Sequence, residues 1–342
     1  MSPKNLSVTK KIPKLLKSKL KNKRINIIYK KFENSLKINE NFIVAVSGGP
    51  DSLALAFLAK IYSIKKKLIS KFLIVDHKIR PDSTKEAHTV KKILSKHLIN
   101  AEILTCRGNK PIKNIQSLAR KKRYEILFAE SDRLKIDNIL LGHHKNDLFE
   151  NFFIRMLRGS GLKGLVSLDK EVKSGKKNLL RPLIDYKKED LIFIAKFVFN
   201  FYVEDPTNKD ENFKRIKIRK LIEDLRENGL DEKKLFKTIK NLKYSNNVVE
   251  FYVSENLKKN SIYSKRKNKL VLNRYFFEQP YEVIFRSLSE AIKMVGKKYY
   301  LVRGKKLDKI IKDIIKDQFF KGTLGGCIIE KVNQTTIISK EH

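Results

Sequence analysis

Cysteine is scarce in this chain: only Cys106 and Cys327 occur in 342 residues. Two distant cysteines build no disulfide framework and no zinc ribbon, and they fit a reducing, cytoplasmic compartment. No apolar run is as long as a membrane span, so no membrane partner is expected. Roughly the first thirty residues are basic and broken by lysine throughout, unlike a secretory signal. Acidic residues are also few, 37 Asp and Glu against 76 Lys and Arg, which leaves a formal charge of +39. Basic surface recruits phosphate backbones through counterion release, so a nucleic acid is the expected partner. The excess has a second reading as well. Lysine greatly outnumbers arginine, and Ile and Asn are abundant, as an AT-rich coding bias produces. No strongly apolar amphipathic face accompanies the charge, which argues against a membrane surface.

What is present is enough hydrophobic material, 41% of residues, for a globular chain of two domains. After a basic N-terminal extension, residues 1–36, strand-like and helix-like stretches alternate. "NFIVAVS", "KFLIVDH", "AEILTC" and "NILLGHH" read as strands. "DSLALAFLAKIYSI", "DSTKEAHTVKKILSKHL", "IQSLARKKRYEILFAESDRL" and "NDLFENFFIRMLRGSG" read as helices, the last ended by Gly159. The second helix is predicted to open with a capping box from Ser83 to Glu86. Its apolar face is predicted to be Ala87, Val90, Ile93, Leu94 and Leu98. Such alternation predicts an α/β fold over residues 37–227, a doubly wound, mostly parallel sheet. Beyond a basic helix in "FKRIKIRKLIEDL" the chain is Lys-rich and helical, then strand-like at "GGCIIEKVNQTTIISK". Residues 228–342 are therefore expected to form a smaller α+β domain. There is no internal repeat.

Three polar loops follow predicted strands, at the sheet edge where such folds bind ligands: "SGGPDS", "DHKIRP" and "GHHKND". The first comprises Ser47, Gly48, Gly49, Pro50, Asp51 and Ser52 and leads into a helix. Backbone N–H groups of a glycine loop and a helix N-terminus bind phosphate oxygens, and serine hydroxyls add donors. Pro50 fixes the backbone and removes one donor. Asp51 suits an anion site only if it meets a cation, and Mg2+ carried by a nucleotide is the natural one. The bland alternative is a capped turn with Asp51 or Ser52 as the helix cap. No lysine occupies the place where a Walker loop needs one.

The pattern S-G-G-x-D-S directly after an apolar strand resembles the pyrophosphate loop of the N-type ATP pyrophosphatases. In that superfamily the loop holds the β and γ phosphates while the bond between the α and β phosphates breaks. A loop that cradles a leaving group needs no Walker lysine. Six segments, "SGGPDSLAL", "VDHKIRPDS", "NIQSLARKKRYEIL", "LGHHKNDLFENFFIRMLRGSGLKGL", "LLRPLI" and "VEDPTN", resemble the tRNA(Ile)-lysidine synthetase family in that order. A weaker likeness continues at "LVRGKKLDKI" and "TLGGCII". There is no C-x-x-C of the kind a cluster-dependent tRNA thiolase carries. The chain departs from the family at Leu148, where glutamine is usual. It departs again at Arg215-Ile216-Lys217-Ile218-Arg219, where the R-N-x-I-R signature has asparagine second.

The resemblance implies a ligase that joins free L-lysine to the wobble cytidine of the isoleucine tRNA with a CAU anticodon. It implies ATP and Mg2+, an adenylated cytidine intermediate, and release of AMP and pyrophosphate. It also implies a tRNA-binding role for residues 228–342, and a homodimer is compatible with it. His143, Asp147 and Glu150 are spaced to share one helix face. A carboxylate pair there can bind the lysine ammonium and help its proton leave, with Asp147 the first candidate. A zinc site and a solvated helix start are the rival readings. Arg120 and Arg123 are candidates for the α-phosphate or the substrate nucleotide, or else form a basic surface face. Arg155 and Arg158 are candidates for tRNA phosphates, and Arg215 and Arg219 are weaker ones. His77 is either a turn residue or a nucleotide contact. Two other functions stay open: a thiolase using an external sulfur donor, with Cys106 a remote candidate, and a non-enzymatic RNA-binding protein.

Overall fold

The computed structural model describes residues 12–79, 81–106, 115–204, 214–297, 302, 304–316 and 319–341. The chain divides into two compact units, Met1–Glu232 and Lys233–His342.

The first unit opens with helices α1 (Lys14–Leu20) and α2 (Lys23–Ser35). Then come β1 (Phe42–Val46), α3 (Pro50–Lys66), β2 (Ser70–Asp76), α4 (Ser83–Lys96), β3 (Ala101–Thr105) and α5 (Ile115–Leu134). They are followed by β4 (Asn138–Leu140), α6 (Lys145–Met156), α7 (Leu162–Leu165), β5 (Glu171–Ser174), β6 (Lys177–Leu180), α8 (Lys188–Phe199) and α9 (Lys214–Glu227). The strands lie in the order β3-β2-β1-β4-β6-β5, and all neighbours are parallel except β5 and β6. The antiparallel edge strand β5 is a departure from the predicted alternation. Its residues, Glu-Val-Lys-Ser, alternate between exposed and half-buried and carry almost no apolar signal.

Alternate residues of the strands enter opposite layers, as the pleat requires. Phe42 and Val44 of β1 pack with Phe72 and Ile74 of β2 and with Phe57 and Leu191 from α3 and α8. Ile43 and Leu73 point the other way and pack with Leu127 of α5 and Ile139 of β4. Helices thus cover both faces, which is why these strands read as continuous apolar runs. Residues 14–36, set apart in the sequence as an extension, contribute Leu16, Ile25, Tyr29 and Phe32 to the first layer. The strand order reverses between β1 and β4. Chain connections leave the sheet in opposite directions there and open a crevice beyond the strands' carboxyl ends.

Two expectations about α4 need correction. The predicted capping box does not form: Asp82 is the N-cap, without a side-chain cap. The Ser83 hydroxyl instead donates to Asp76 Oδ1 at 2.9 Å, and Thr84 Oγ1 donates to Asp76 Oδ2 at 2.7 Å. A buried carboxylate seven residues away outcompetes the local box. Ala87, Val90 and Leu94 are buried, but Leu98 lies past the helix with φ +61° and is 48% exposed.

The second unit contains α10 (Glu232–Asn260, which begins one residue before the division), β7 (Ser261–Ser264), β8 (Lys269–Leu272), α11 (Tyr281–Gly296), α12 (Gly304–Lys316), β9 (Phe319–Leu324), β10 (Cys327–Val332) and β11 (Thr335–Lys340). Its sheet runs β7-β8-β11-β10-β9 and is antiparallel throughout. Leu307, Ile310, Ile311 and Ile314 recur at helical spacing on α12. They pack with Leu288 and Ile292 of α11 against Ile329 and Ile338 of the sheet. Among the described residues no helix is long and apolar enough to cross a membrane.

Candidate active site

The turn from β1 to α3 is only Ser47, Gly48 and Gly49. Gly48 has φ +87°, and a Cβ there would lie 2.6 Å from Val90 Cγ2 and 3.0 Å from Val203 Cγ2. Glycine alone suits that backbone and that space. The Val203 amide donates to the Gly48 carbonyl at 2.9 Å and braces the turn from outside. Ser52 braces it from within. Its buried hydroxyl accepts from the amides of Ser47 and Gly48, each at 3.1 Å, and donates to the Gly49 carbonyl at 3.0 Å. The Ser52 hydroxyl is therefore engaged inside the loop. The capped-turn alternative is not what the loop adopts: Gly49 is the N-cap of α3, Pro50 follows it, and no side chain caps the helix. The first-turn amides and the helix dipole thus form a site suited to an anion.

The loop from β4 to α6 supplies the facing wall. A Cβ on Gly142 would lie 3.2 Å from both Cα and N of Ser52, so the two loops touch at the strand-order reversal. Helix α6 begins at Lys145, one residue before the predicted stretch that opens at Asn146. His144 is its N-cap, and Asp147 Oδ2 accepts from the His144 amide at 2.9 Å in a capping box. His143 therefore precedes the helix and does not share a helical face with Asp147 and Glu150. His144 Nδ1 accepts from the Asn146 amide at 3.2 Å, which leaves the ring proton on Nε2. That Nε2 lies 3.6 Å from Asp51 Oδ2 and 3.6 Å from Asp147 Oδ2. His144, only 4% exposed, so links the carboxylate of the phosphate loop to that of α6. The sequence reading singled out His143 instead. Burial holds the His143 pKa down at about 3, against the pull of Asp147, and its Nδ1 is buried without a hydrogen-bond partner.

The three carboxylates differ in environment. Burial raises the Asp51 pKa, partly offset by His144, and Asp51 Oδ1 is buried with no partner. Burial also opposes ionisation of Asp147. There the rings of His144 and His143, the His144 amide and Arg215 outweigh it and hold the pKa below the usual carboxylate range. Glu150 is 3% exposed. Its Oε1 accepts from Arg219 Nε at 2.6 Å, while Oε2 has no partner. Arg219 of α9 thus faces the carboxylates and is also felt by Asp147 and Asp51. This pair lies 69 residues apart in the chain, and nothing local in the sequence announces it.

Arginines gather around His143. Arg181, Arg120 and Arg215 all depress its basicity. Arg120 is exposed and lies over the ring of Tyr124, 5.2 Å from its centroid, with Nη2 donating to Tyr124 Oη at 3.2 Å. Arg181, which the sequence reading did not single out, is buried and donates to the Asp169 carbonyl at 2.8 Å. It also hydrogen-bonds Tyr124. Arg123 Nε donates to His77 Nε2 at 3.1 Å. Arg155 is half-buried in the last turn of α6, and Arg158 is exposed just beyond it. Neither side chain forms an ion pair within this cluster among the described residues. Those residues also include no group of three His, Cys, Asp or Glu arranged to ligate a metal, so the zinc reading gains no support. The arrangement can hold a polyphosphate on the β1–α3 loop, a cation against Asp51 and Asp147, and further anionic groups near the arginines.

Residues 18–225 match the PP-loop domain family. A protein named tRNA(Ile)-lysidine synthase from Rhodopseudomonas palustris is 34% identical over 195 residues, covering 56% of each chain. One of the same name from Orientia tsutsugamushi is 33% identical over 315 residues, covering 89% of this chain and 70% of the relative. A third, from Wolbachia pipientis, is 29% identical and covers 93% of this chain and 74% of the relative. The chain thus spans little more than half the length of the first relative and about three quarters of the third. Among solved structures, the U34-tRNA thiolase NcsA from Methanococcus maripaludis, with its 4Fe-4S cluster, superposes with a TM-score of 0.54 at 21% identity. It covers 65% of this chain and 79% of its own, and it establishes likeness of fold. On the match over residues 18–225 and the similarity to the Orientia protein, this chain belongs to the tRNA(Ile)-lysidine synthase family of PP-loop proteins.

Proposed function

We propose that this protein is an ATP-dependent ligase that joins L-lysine to the wobble cytidine of the CAU-anticodon isoleucine tRNA. The observation that carries the proposal is a phosphate loop without a lysine, whose Asp51 is linked through His144 to Asp147 of α6. In the proposed reaction the uncapped start of α3 binds the β and γ phosphates. AMP passes to the ring carbonyl oxygen of cytosine, and pyrophosphate is left in the loop. The donor set fits Mg2+, which takes one or two carboxylates and completes its shell with phosphate oxygens and water. Asp51, with its unpartnered Oδ1, would hold it, and the bound ion supplies charge neutralisation to the phosphates. Arg120 and Arg123 are the proposed contacts for the α-phosphate and the nucleotide.

Asp147 is the proposed site for the lysine ammonium. It is kept ionised, and one of its oxygens remains outside the capping box. Glu150 already carries Arg219 and is the secondary group. The ammonium first gives up a proton to water. As the free amine then attacks the adenylated carbon, its nitrogen becomes strongly acidic, so even a weak base such as Asp147 can take the second proton, and the C–O bond to the phosphate breaks to release AMP. The second unit, with Arg155 and Arg158, is proposed to grip tRNA phosphates, and the two buried free cysteines suit a reducing cytoplasm.

The test is to incubate the protein with α-labelled ATP, lysine and the CAU tRNA transcript and to separate the nucleotides. AMP and pyrophosphate are expected, dependent on the tRNA. ADP as the product would overturn the proposal.

A further inference from the structure

We propose that His77 is a positioning residue for Arg123: as a neutral acceptor it aims a half-buried guanidinium, with which no carboxylate among the described residues pairs, at the anion handled in the active site. The proposal rests on the reading of Arg123 as a substrate contact and deepens it.

His77 follows directly on β2, at the same sheet edge as the phosphate loop. Its ring sits between two elements. Arg123 Nε, from α5, donates to Nε2 at 3.1 Å, and Cys106 Sγ, just after β3, lies 3.6 Å from Nδ1. Arginine offers only donors, so Nε2 must carry a lone pair. The ring is then neutral with its proton on Nδ1, directed at the Cys106 sulfur. Burial and the nearby Arg123 charge hold its pKa at about 4, against a weaker pull from Asp76.

A carboxylate is the usual partner for a buried arginine, and one is adjacent in sequence. Asp76 is fully engaged elsewhere. Its Oδ1 accepts from the Lys78 amide and the Ser83 hydroxyl, and its Oδ2 accepts from Thr84. Among the described residues no carboxylate forms an ion pair with Arg123, whose neighbours include the cations Arg120 and Arg215. A carboxylate at position 77 would orient the guanidinium but cancel its charge. Histidine orients it and leaves the charge to be met by substrate. The disrupted capping box of α4 has the same origin: Ser83 and Thr84 are drawn to Asp76, which keeps that carboxylate away from Arg123. Among the described residues, the charged groups that act on the ring are Arg123 on α5 and Asp76 at the end of its own strand; Cys106 after β3 lies beside Nδ1, and Lys122 acts on that cysteine.

The test compares tRNA- and lysine-dependent AMP formation for wild type, His77→Ala, His77→Gln, Arg123→Ala and the double variant. His77→Ala is expected to lower kcat by about 10- to 100-fold, as for a misplaced catalytic group, with little change in KM for ATP. The double variant should be no worse than Arg123→Ala alone. His77→Gln, whose Oε1 can accept from Arg123 Nε, should recover most of the rate. Losses that multiply in the double variant would overturn the proposal. Full activity of His77→Ala beside an impaired Arg123→Ala would overturn the His77 role alone. Full activity of Arg123→Ala would remove the reading of Arg123 and this proposal with it. Nitrogen-15 NMR of the histidine ring gives a readout independent of activity. A neutral, Nδ1-protonated ring at pH 6 is expected, with a higher pKa once Arg123 is replaced. A ring protonated on Nε2 at pH 6 would overturn the arrangement.

Discussion

Asp147→Asn is expected to abolish most lysine transfer while ATP still binds. The amide oxygen can accept from the His144 amide as the carboxylate does at 2.9 Å, so the start of α6 should survive the change. What is lost is the negative charge that faces the lysine ammonium. Removing one partner of a close, desolvated charge pair costs about 2–5 kcal/mol, or roughly 30- to 5,000-fold in rate or affinity. Labelled-lysine kinetics should show this loss, and calorimetry should find nucleotide affinity near wild type. Transfer at a near wild-type rate and lysine KM would mean that Asp147 does not hold the lysine.

Gly48→Ala is expected to damage the phosphate loop, while Gly49→Ala is tolerated. At Gly48 the backbone has φ +87° and the new methyl meets Val90 Cγ2 at 2.6 Å. Val90 is buried and β-branched, so it cannot swing aside. At Gly49 φ is −69°, and the nearest atom to a Cβ is Ser47 Oγ at 3.9 Å. Backbone strain alone should lower stability by about 1–3 kcal/mol in Gly48→Ala. Loss of the Val203 bond to Gly48 should weaken ATP binding further. Adding Val90→Ala should relieve the collision but not the strain, giving partial recovery. Thermal melts and ATP calorimetry on wild type and the three variants read both effects. Equal behaviour of Gly48→Ala and Gly49→Ala would contradict this picture of the loop.

The parallel core was legible in the sequence because β1 and β2 are buried on both faces, which requires unbroken apolar runs such as Phe42–Val46. The edge strand β5 was not, since half-exposed Glu-Val-Lys-Ser gives no such run. The phosphate loop could be read because its chemistry is local: two glycines, a proline, an aspartate and two serines within six residues. The opposite wall could not be read in the same way. Two adjacent histidines offer themselves, and which one links the carboxylates depends on where α6 starts. That start is set by Asp147 reaching back to the His144 amide in a capping box whose N-cap is a histidine, a residue outside the usual N-cap set. The Glu150–Arg219 pair and the diversion of Ser83 to Asp76 join distant or competing partners, so pattern reading misses them. Both departures from the family pattern, Leu148 and Ile216, lie at buried positions, where an apolar side chain packs without leaving a polar group unsatisfied.

The most direct measurement is incorporation of labelled lysine into RNA. The protein is incubated with ATP, Mg2+, labelled lysine and the CAU-anticodon isoleucine tRNA transcript, and the RNA is digested and analysed by mass spectrometry. The expected result is ATP-dependent label on the wobble cytidine, absent from a transcript whose wobble base is not cytidine. AMP formation with no lysine in the RNA, or label at any other nucleotide, would contradict the proposed function.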